Sequence, residues 1–289
     1  MVDRRPGIGA FLRARRDALQ PEDVGLAREP GRRVPGLRRE EVARLARISP
    51  EYYLRLEQGR DHLPSEQVLA ALAGALRLDA AGREYLLGLA LPSLRPRPGA
   101  GGPAPVDPAL VAVVEHLGGV AAFVADANKD VVAANALARA AGSGAWAPGR
   151  NLVLDAFAPR VKACLPGWER LARRMVAALR LSGDPVDPRL QEVVGTLSVR
   201  DEDFRRWWAA HEVEAVTSGR VHCHLREGAG PVELRWQDLD VPGRTGHVLT
   251  VVHADPGSPG EAALAALAVL AERARERVPR PRGAAAARA

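Results

Sequence analysis

The chain has 289 residues, 47% of them hydrophobic and 26% charged, with 41 lysines and arginines against 35 acids for a net charge of +6. That length exceeds one small core and predicts two domains with connections, and the balance of apolar to charged residues excludes a disordered chain. Two cysteines exclude a disulfide framework, and no apolar run is long enough to span a bilayer, so a cytoplasmic setting with no membrane partner is expected.

The positive charge is uneven. Residues 1–98 carry 18 arginines against 13 acids, whereas residues 99–259 carry 17 bases against 19 acids. A basic first segment suggests a polyanion partner, although so modest an excess also fits a solvated surface.

In chain order, "GIGAFLRARRDAL" (7–19) predicts an amphipathic helix with Ile8, Phe11, Leu12 and Leu19 at helical spacing. A polar segment containing Arg28, Arg32 and Arg33 follows, then a second helix, "LRREEVARLAR" (37–47). "SPEYYLRLEQGR" (49–60) is a third, with Ser49 as cap and Pro50 at the first helical position. "PSEQVLAALAGALRL" (64–78), capped by Ser65, and "DAAGREYLLGLA" (79–90) complete a compact five-helix, all-α domain over residues 7–90. Pro and Gly mark 91–105 as a linker.

Residues 106–255 read as α+β. "GVAAFVADANKDVVAANALA" (119–138) predicts strand, turn at Asn128-Lys129-Asp130, strand and helix. "PGWERLARRMVAALRLSG" (166–183) predicts a helix with Trp168, Leu171, Met175, Ala178 and Leu179 along one face, and "DEDFRRWWAAHEV" (201–213) a shorter one. Alternation broken by glycines over 219–255 predicts three antiparallel strands. Residues 256–289 form an Ala/Leu-striped helix, a candidate dimer contact, followed by a frayed tail.

The second and third helices have the spacing of a helix-turn-helix. Ala43 supplies the small residue where two axes approach, and Val42, Ala46, Ile48, Tyr53 and Leu56 supply the apolar flanks. The third helix then enters a major groove by its N-terminal end. Pro50, Glu51 and Arg55 face base edges, while Arg38, Arg39, Ser49 and Arg60 are placed for phosphates. Glu51 equally suits the helix dipole or an ion pair with Arg55. Glu57 is expected to partner an arginine of the first helix, and Tyr52 fits backbone contact or packing alike.

With "PGLRREEVA", "YYxRLEQGR" and "PSxQVLxALxxALRL", residues 7–90 resemble the Cro/repressor-type (Xre-family) helix-turn-helix domain, in its actinobacterial branch. Arg47 stands where the family turn commonly has Gly, which implies strain if its φ is positive. Residues 106–255 resemble the MmyB-like ligand-binding domain, a PAS-like sheet with helices, through "VVAANALARA", "NLVLDAF", "VGTLSVRDEDFRRWWAAHEV" and "VELRWQDLDVPGRTGHVLTVVHADPGSP". The resemblance implies a regulator whose pocket takes a small, largely apolar ligand such as a fatty acid.

Phe123, Leu137, Phe157, Met175, Leu179, Trp207 and Trp208 suit such a cavity, or an ordinary core. Asn135, Arg180 and His211 are polar candidates for a carboxylate, with a surface ion pair as the alternative for Arg180. In "VHCHL", His222 and His224 share one strand face and Cys223 the other, so three ligands do not converge, although His247 or His253 could complete a two-histidine site. No P-loop, Rossmann glycine pattern or nucleophile–base pair occurs, so neither catalysis nor a metal or other cofactor is expected. The sequence thus predicts a DNA-binding regulator on a double-stranded operator, a homodimer by half-site logic, with a ligand-sensing second domain. Alternatives are a haem- or metal-responsive sensor and a second domain that only docks a protein.

Overall fold

A computed structural model describes residues 6–29, 31, 32, 34–60, 64–91, 106–142, 144–225, 230–242 and 246–276. Apart from Leu91, the expected linker lies outside these residues, as do Arg33 and residues 277–289, which include the expected frayed tail. No helix among the described residues is long and apolar enough to cross a membrane.

The first domain consists of α1 (Pro6–Ala18), α2 (Arg39–Leu45), α3 (Pro50–Glu57), α4 (Glu66–Ala75) and α5 (Ala80–Ala90). Three of these helices start on local caps. Ser49 Oγ accepts from the Tyr52 amide at 3.1 Å, Ser65 Oγ from Val68 at 3.3 Å and Asp79 from Gly82 at 2.8 Å. Their inner faces bury Phe11, Leu12, Leu37, Val42, Tyr53 and Leu72 in one core. Gly9 lets α1 lie against α3, since a Cβ there would meet the Glu57 carbonyl oxygen at 2.2 Å. The polar segment before α2 is not loose. Arg32 donates to Glu41 at 2.7 Å and to the Gly36 carbonyl at 2.6 Å, fastening the segment to the start of α2.

The second domain runs α6 (Pro108–His116), β1 (Ala121–Ala125), β2 (Val131–Ala134), α7 (Ala136–Ala141), α8 (Leu152–Ala156), α9 (Pro159–Cys164), α10 (Trp168–Ser182), α11 (Pro188–Arg200), α12 (Glu202–Ala209), β3 (Ser218–Cys223), β4 (Val232–Asp240), β5 (Val248–His253) and α13 (Pro259–Glu276). Its described strands form one antiparallel sheet in the order β2-β1-β5-β4-β3. At the β1–β2 turn, Asp126 Oδ1 accepts the amides of Asn128 and Asp130 at 2.9 Å each, and Lys129 takes φ +66°.

One sheet face buries Phe123, Leu234 and Val252 with Leu137 of α7 and Leu264 and Leu267 of α13. On the other, Ala122, Val124 and Ala133 meet Val114 of α6. Because α13 lies on the sheet, the domain's core continues past residue 255: Leu264 and Leu267 of its apolar stripe are buried there, while Val269 and Leu270 stay exposed. A separate cluster joins Phe157, Val176, Leu179, Val193, Leu197, Phe204 and Trp207 from α8 and α10 to α12. The helices α6, α8, α9 and α11 go beyond those expected.

The predicted face of α10 is also corrected. The fully buried positions are Ala172, Val176, Ala177, Leu179 and Arg180, with Trp168 and Met175 only half-buried. This helix is covered on two sides over its C-terminal half, so a single-stripe pattern does not describe it.

Candidate functional site

Val42 and Ala43 of α2 are fully buried, and the Ile48 amide bonds back to the Ala43 carbonyl at 3.0 Å. That closes a tight turn with Arg47 at φ +55°, the left-handed conformation a side chain disfavours. Beyond the turn, the Ser49 cap and Pro50 start α3. Tyr53 and Leu56 hold it to the core, leaving Pro50, Glu51 and Arg55 exposed on the outer face. The Arg55 guanidinium lies 5.5 Å from the centre of the Tyr52 ring.

The carboxylate beneath this helix is internal. Glu57 has a fully buried side chain and accepts Arg16 Nε of α1 at 2.6 Å and Arg39 Nε of α2 at 2.7 Å. Burial opposes its ionisation, but the two arginine hydrogen bonds win and hold it below the usual carboxylate range. Arg16 is thus the first-helix partner expected for Glu57, and the second arginine is one that the sequence reading sent to phosphate. Arg39 keeps 45% side-chain exposure, so it reaches solvent while anchored by Nε. Arg38, half-buried, caps α2 through its backbone amide, which donates to Glu41 at 2.6 Å, and its side chain pairs with Glu29 at 2.8 Å. The Arg32 hydrogen bonds bring Glu41 down to about 2, against the cost of burial. Ser49 and Arg60 lie exposed at the two ends of α3.

The eight ligand candidates do not converge. Phe157, Met175, Leu179 and Trp207 share the helical aromatic cluster, in which Phe157 meets Trp168 at 5.5 Å, Phe204 at 5.4 Å and Trp207 at 6.0 Å. Phe123 belongs to the sheet core, stacked on Trp146 at 5.6 Å. Asn135 is saturated. Its Oδ1 accepts the amides of Ala122 and Ala138 at 3.2 and 2.8 Å, and its Nδ2 donates to the Leu117 and Val120 carbonyls at 2.9 and 2.8 Å. As cap of α7 it has no capacity left for a carboxylate. Arg180 and His211 pair with each other at 3.2 Å, outside both clusters. Burial and the neighbouring Arg180 charge push the His211 imidazole down to about 4. Arg180 is therefore not the surface ion pair; of the apolar candidates it meets Trp208, whose ring centre lies 3.7 Å from the guanidinium, while the neighbouring Leu179 faces a different layer.

Among the described residues, no three His, Cys, Asp or Glu side chains gather as metal ligands. His222 lies 3.6 Å from Glu233 on the facing strand, and His247 is buried before β5. Burial pushes the Cys223 thiol up to about 11, which keeps it protonated and poorly nucleophilic.

Two family models match the chain. A helix-turn-helix domain covers residues 8–86, and the MmyB-like transcription regulator ligand binding domain covers residues 106–267. The second match takes in the first part of α13, in keeping with the helix's place on the sheet. None of the curated proteins compared matches the chain. With a capped, outward-facing helix in its first domain and more than half its length matched by the second model, the chain belongs to the family of transcription regulators that join a helix-turn-helix DNA-binding domain to an MmyB-like ligand-binding domain.

Proposed function

We propose that the protein is a sequence-specific regulator which reads a double-stranded operator with α3 and answers a small, largely apolar ligand, such as a fatty acid, through its second domain. The observation that carries the DNA reading is the division of α3. Tyr53, Leu56 and Glu57 are buried, whereas Pro50, Glu51 and Arg55 are exposed beyond a Ser49 cap whose helix start favours an approaching anion. Arg55 and Glu51 meet base edges, with Pro50 against the groove floor; Arg38, Arg39, Ser49 and Arg60 meet phosphates. Arg38 exchanges Glu29 for phosphate, and Arg39 offers its outer nitrogens while Glu57 fixes Nε.

For the ligand, the reading narrows to the interior around Phe157, Met175, Leu179 and Trp207, an apolar and aromatic lining with a flexible methionine at its edge. Two copies of the chain would place two α3 helices in successive major grooves, about 34–36 Å apart. No catalytic step is part of this reading. Native mass spectrometry of the purified protein tests it in one experiment. The expected species is a dimer that gains the mass of an added long-chain fatty acid; a monomer that takes up none contradicts the ligand and dimer readings together.

A further inference from the structure

Leu179 and Arg180 are consecutive on α10, and both are buried, at 0% and 5% exposure. Neighbouring helix positions diverge by about 100°, so two different surfaces must cover them. Leu179 enters the aromatic cluster with Phe157, Phe204 and Trp207. The Arg180 guanidinium lies 3.7 Å from the centre of the Trp208 ring, donates to the Trp208 carbonyl and reaches His211 Nδ1 at 3.2 Å. Facing it from the other domain is Tyr85 of α5, whose hydroxyl favours the charged guanidinium against the cost of its burial. Leu181, next along α10, and Val213, just beyond α12, pack against the core of the helix-turn-helix domain.

We infer that Arg180, Leu181, Trp208, His211 and Val213 form a docking surface for the chain's own DNA-binding domain, latched at Tyr85, and that α10 and α12 carry the state of the aromatic cluster to that surface. The occupant is fixed by contact and not by shape alone: two apolar side chains of one domain join the core of the other, and one polar pair closes over them.

The latch is finely balanced. Among the described residues no carboxylate pairs with Arg180, and its Nε is buried without a hydrogen-bond partner. An uncompensated buried cation opposes docking, whereas the burial of Leu181 and Val213 and the Trp208 stack favour it. The junction is also incompletely closed. Beside the latch, a cleft of about 630 Å³ is lined by Arg15 of α1 together with Arg170, Arg173, Arg174, Glu212 and Glu214. Leu179 and Trp207 lie in the cluster and Arg180 in the latch, while Trp208 joins the two, stacked on Phe204 at 5.7 Å and on the Arg180 guanidinium. A ligand that repositions the cluster must move the latch. This transmission rests on the proposed ligand reading; the docking itself does not.

Hydrogen exchange on the full-length chain tests the docking. Tyr85→Phe keeps the ring, which packs edge-on to Phe11 at 5.1 Å, and removes only the hydroxyl. Amides at 208–213, in the other domain, are expected to exchange several-fold faster, because the buried guanidinium loses the polar group facing it across the boundary. Arg180→Lys, which keeps the charge but loses the planar stack, should speed exchange in α5 across the boundary. Unchanged protection of α2 and α3 shows that the fold persists. If neither variant alters exchange across the boundary, the docking inference is overturned. Operator selection and fatty-acid uptake are read in separate assays, so their failure would sink the proposed function while leaving the exchange result to stand.

Discussion

Glu57 accepts a hydrogen bond from Arg39 at 2.7 Å through one carboxylate oxygen while the other holds Arg16 at 2.6 Å. One buried carboxylate thus ties α3 to both α1 and α2, and it does so away from the exposed Glu51 and Arg55. The exposed face of α3 is thereby positioned by a polar contact whose loss leaves Arg16 Nε without its buried carboxylate, with only Asp17 and the Leu37 carbonyl remaining to the guanidinium. Glu57→Gln should therefore destabilise the first domain by about 3 kcal/mol, the scale for breaking a buried ion pair. Urea unfolding followed by circular dichroism measures this, and a change under half that size would show the network to be dispensable.

The same domain should lose stability in acid. Glu41 sits at about 2 in the folded chain against an ordinary value of 4.5, with the Arg32 hydrogen bond as the main cause. Its contribution is fully present above about 4.5 and is lost as pH falls toward 2, because the unfolded chain takes up the proton first. Glu57, also depressed, acts in the same direction. Unfolding midpoints compared near neutrality and at about pH 3 should differ less for Glu41→Gln than for the wild type; equal slopes would contradict the assignment.

Arg47 predicts a gain. At φ +55° in the helix-turn-helix turn, a side chain costs roughly 1–2 kcal/mol that glycine does not incur. Arg47→Gly should raise the unfolding midpoint, partly offset by the freer unfolded chain. A loss of stability would mean that the exposed Arg47 side chain makes a compensating contact.

His211 reports on the domain junction. With its imidazole lowered from 6.5 to about 4 by burial and by Arg180, it stays neutral through physiological pH. The stability it carries is present above about 6.5 and fades as pH falls toward 4, since the unfolded imidazole protonates first. An NMR titration should find it unprotonated at pH 6; titration near the ordinary value would place it in water and open the junction.

Much of the first domain was legible in sequence because its signals are local. Ser49, Ser65, the proline after Ser49 and the small Ala43 each act within a few residues, and the helices begin where those signals stand. The β1–β2 hairpin was legible for the same reason, through the Asn128-Lys129-Asp130 turn. The network around Glu57 was half visible: its position implied a first-helix arginine, but nothing in the spacing marked Arg39 as the second partner. The second domain's interior was not legible. Phe123, Asn135 and Leu179 each carry a plausible residue type, and only the layering of sheet and helices decides that they serve three different neighbourhoods. Arg180 shows the limit most clearly, because its cover comes from Trp208 and His211, about 30 residues later in the chain, and from Tyr85 of the other domain.

Discrimination between operator and random DNA, measured for the wild type and for Arg55→Ala, tests the central claim most directly. After an operator is selected from a random pool, Arg55→Ala should lose about 1–3 kcal/mol of preference at one base pair while its affinity for random DNA is kept. Arg60→Ala, at a proposed phosphate contact, should weaken both alike and lower the salt slope by about 1. If Arg55→Ala retains the full wild-type preference at every base pair, α3 does not read the operator and the assignment of the recognition surface is wrong.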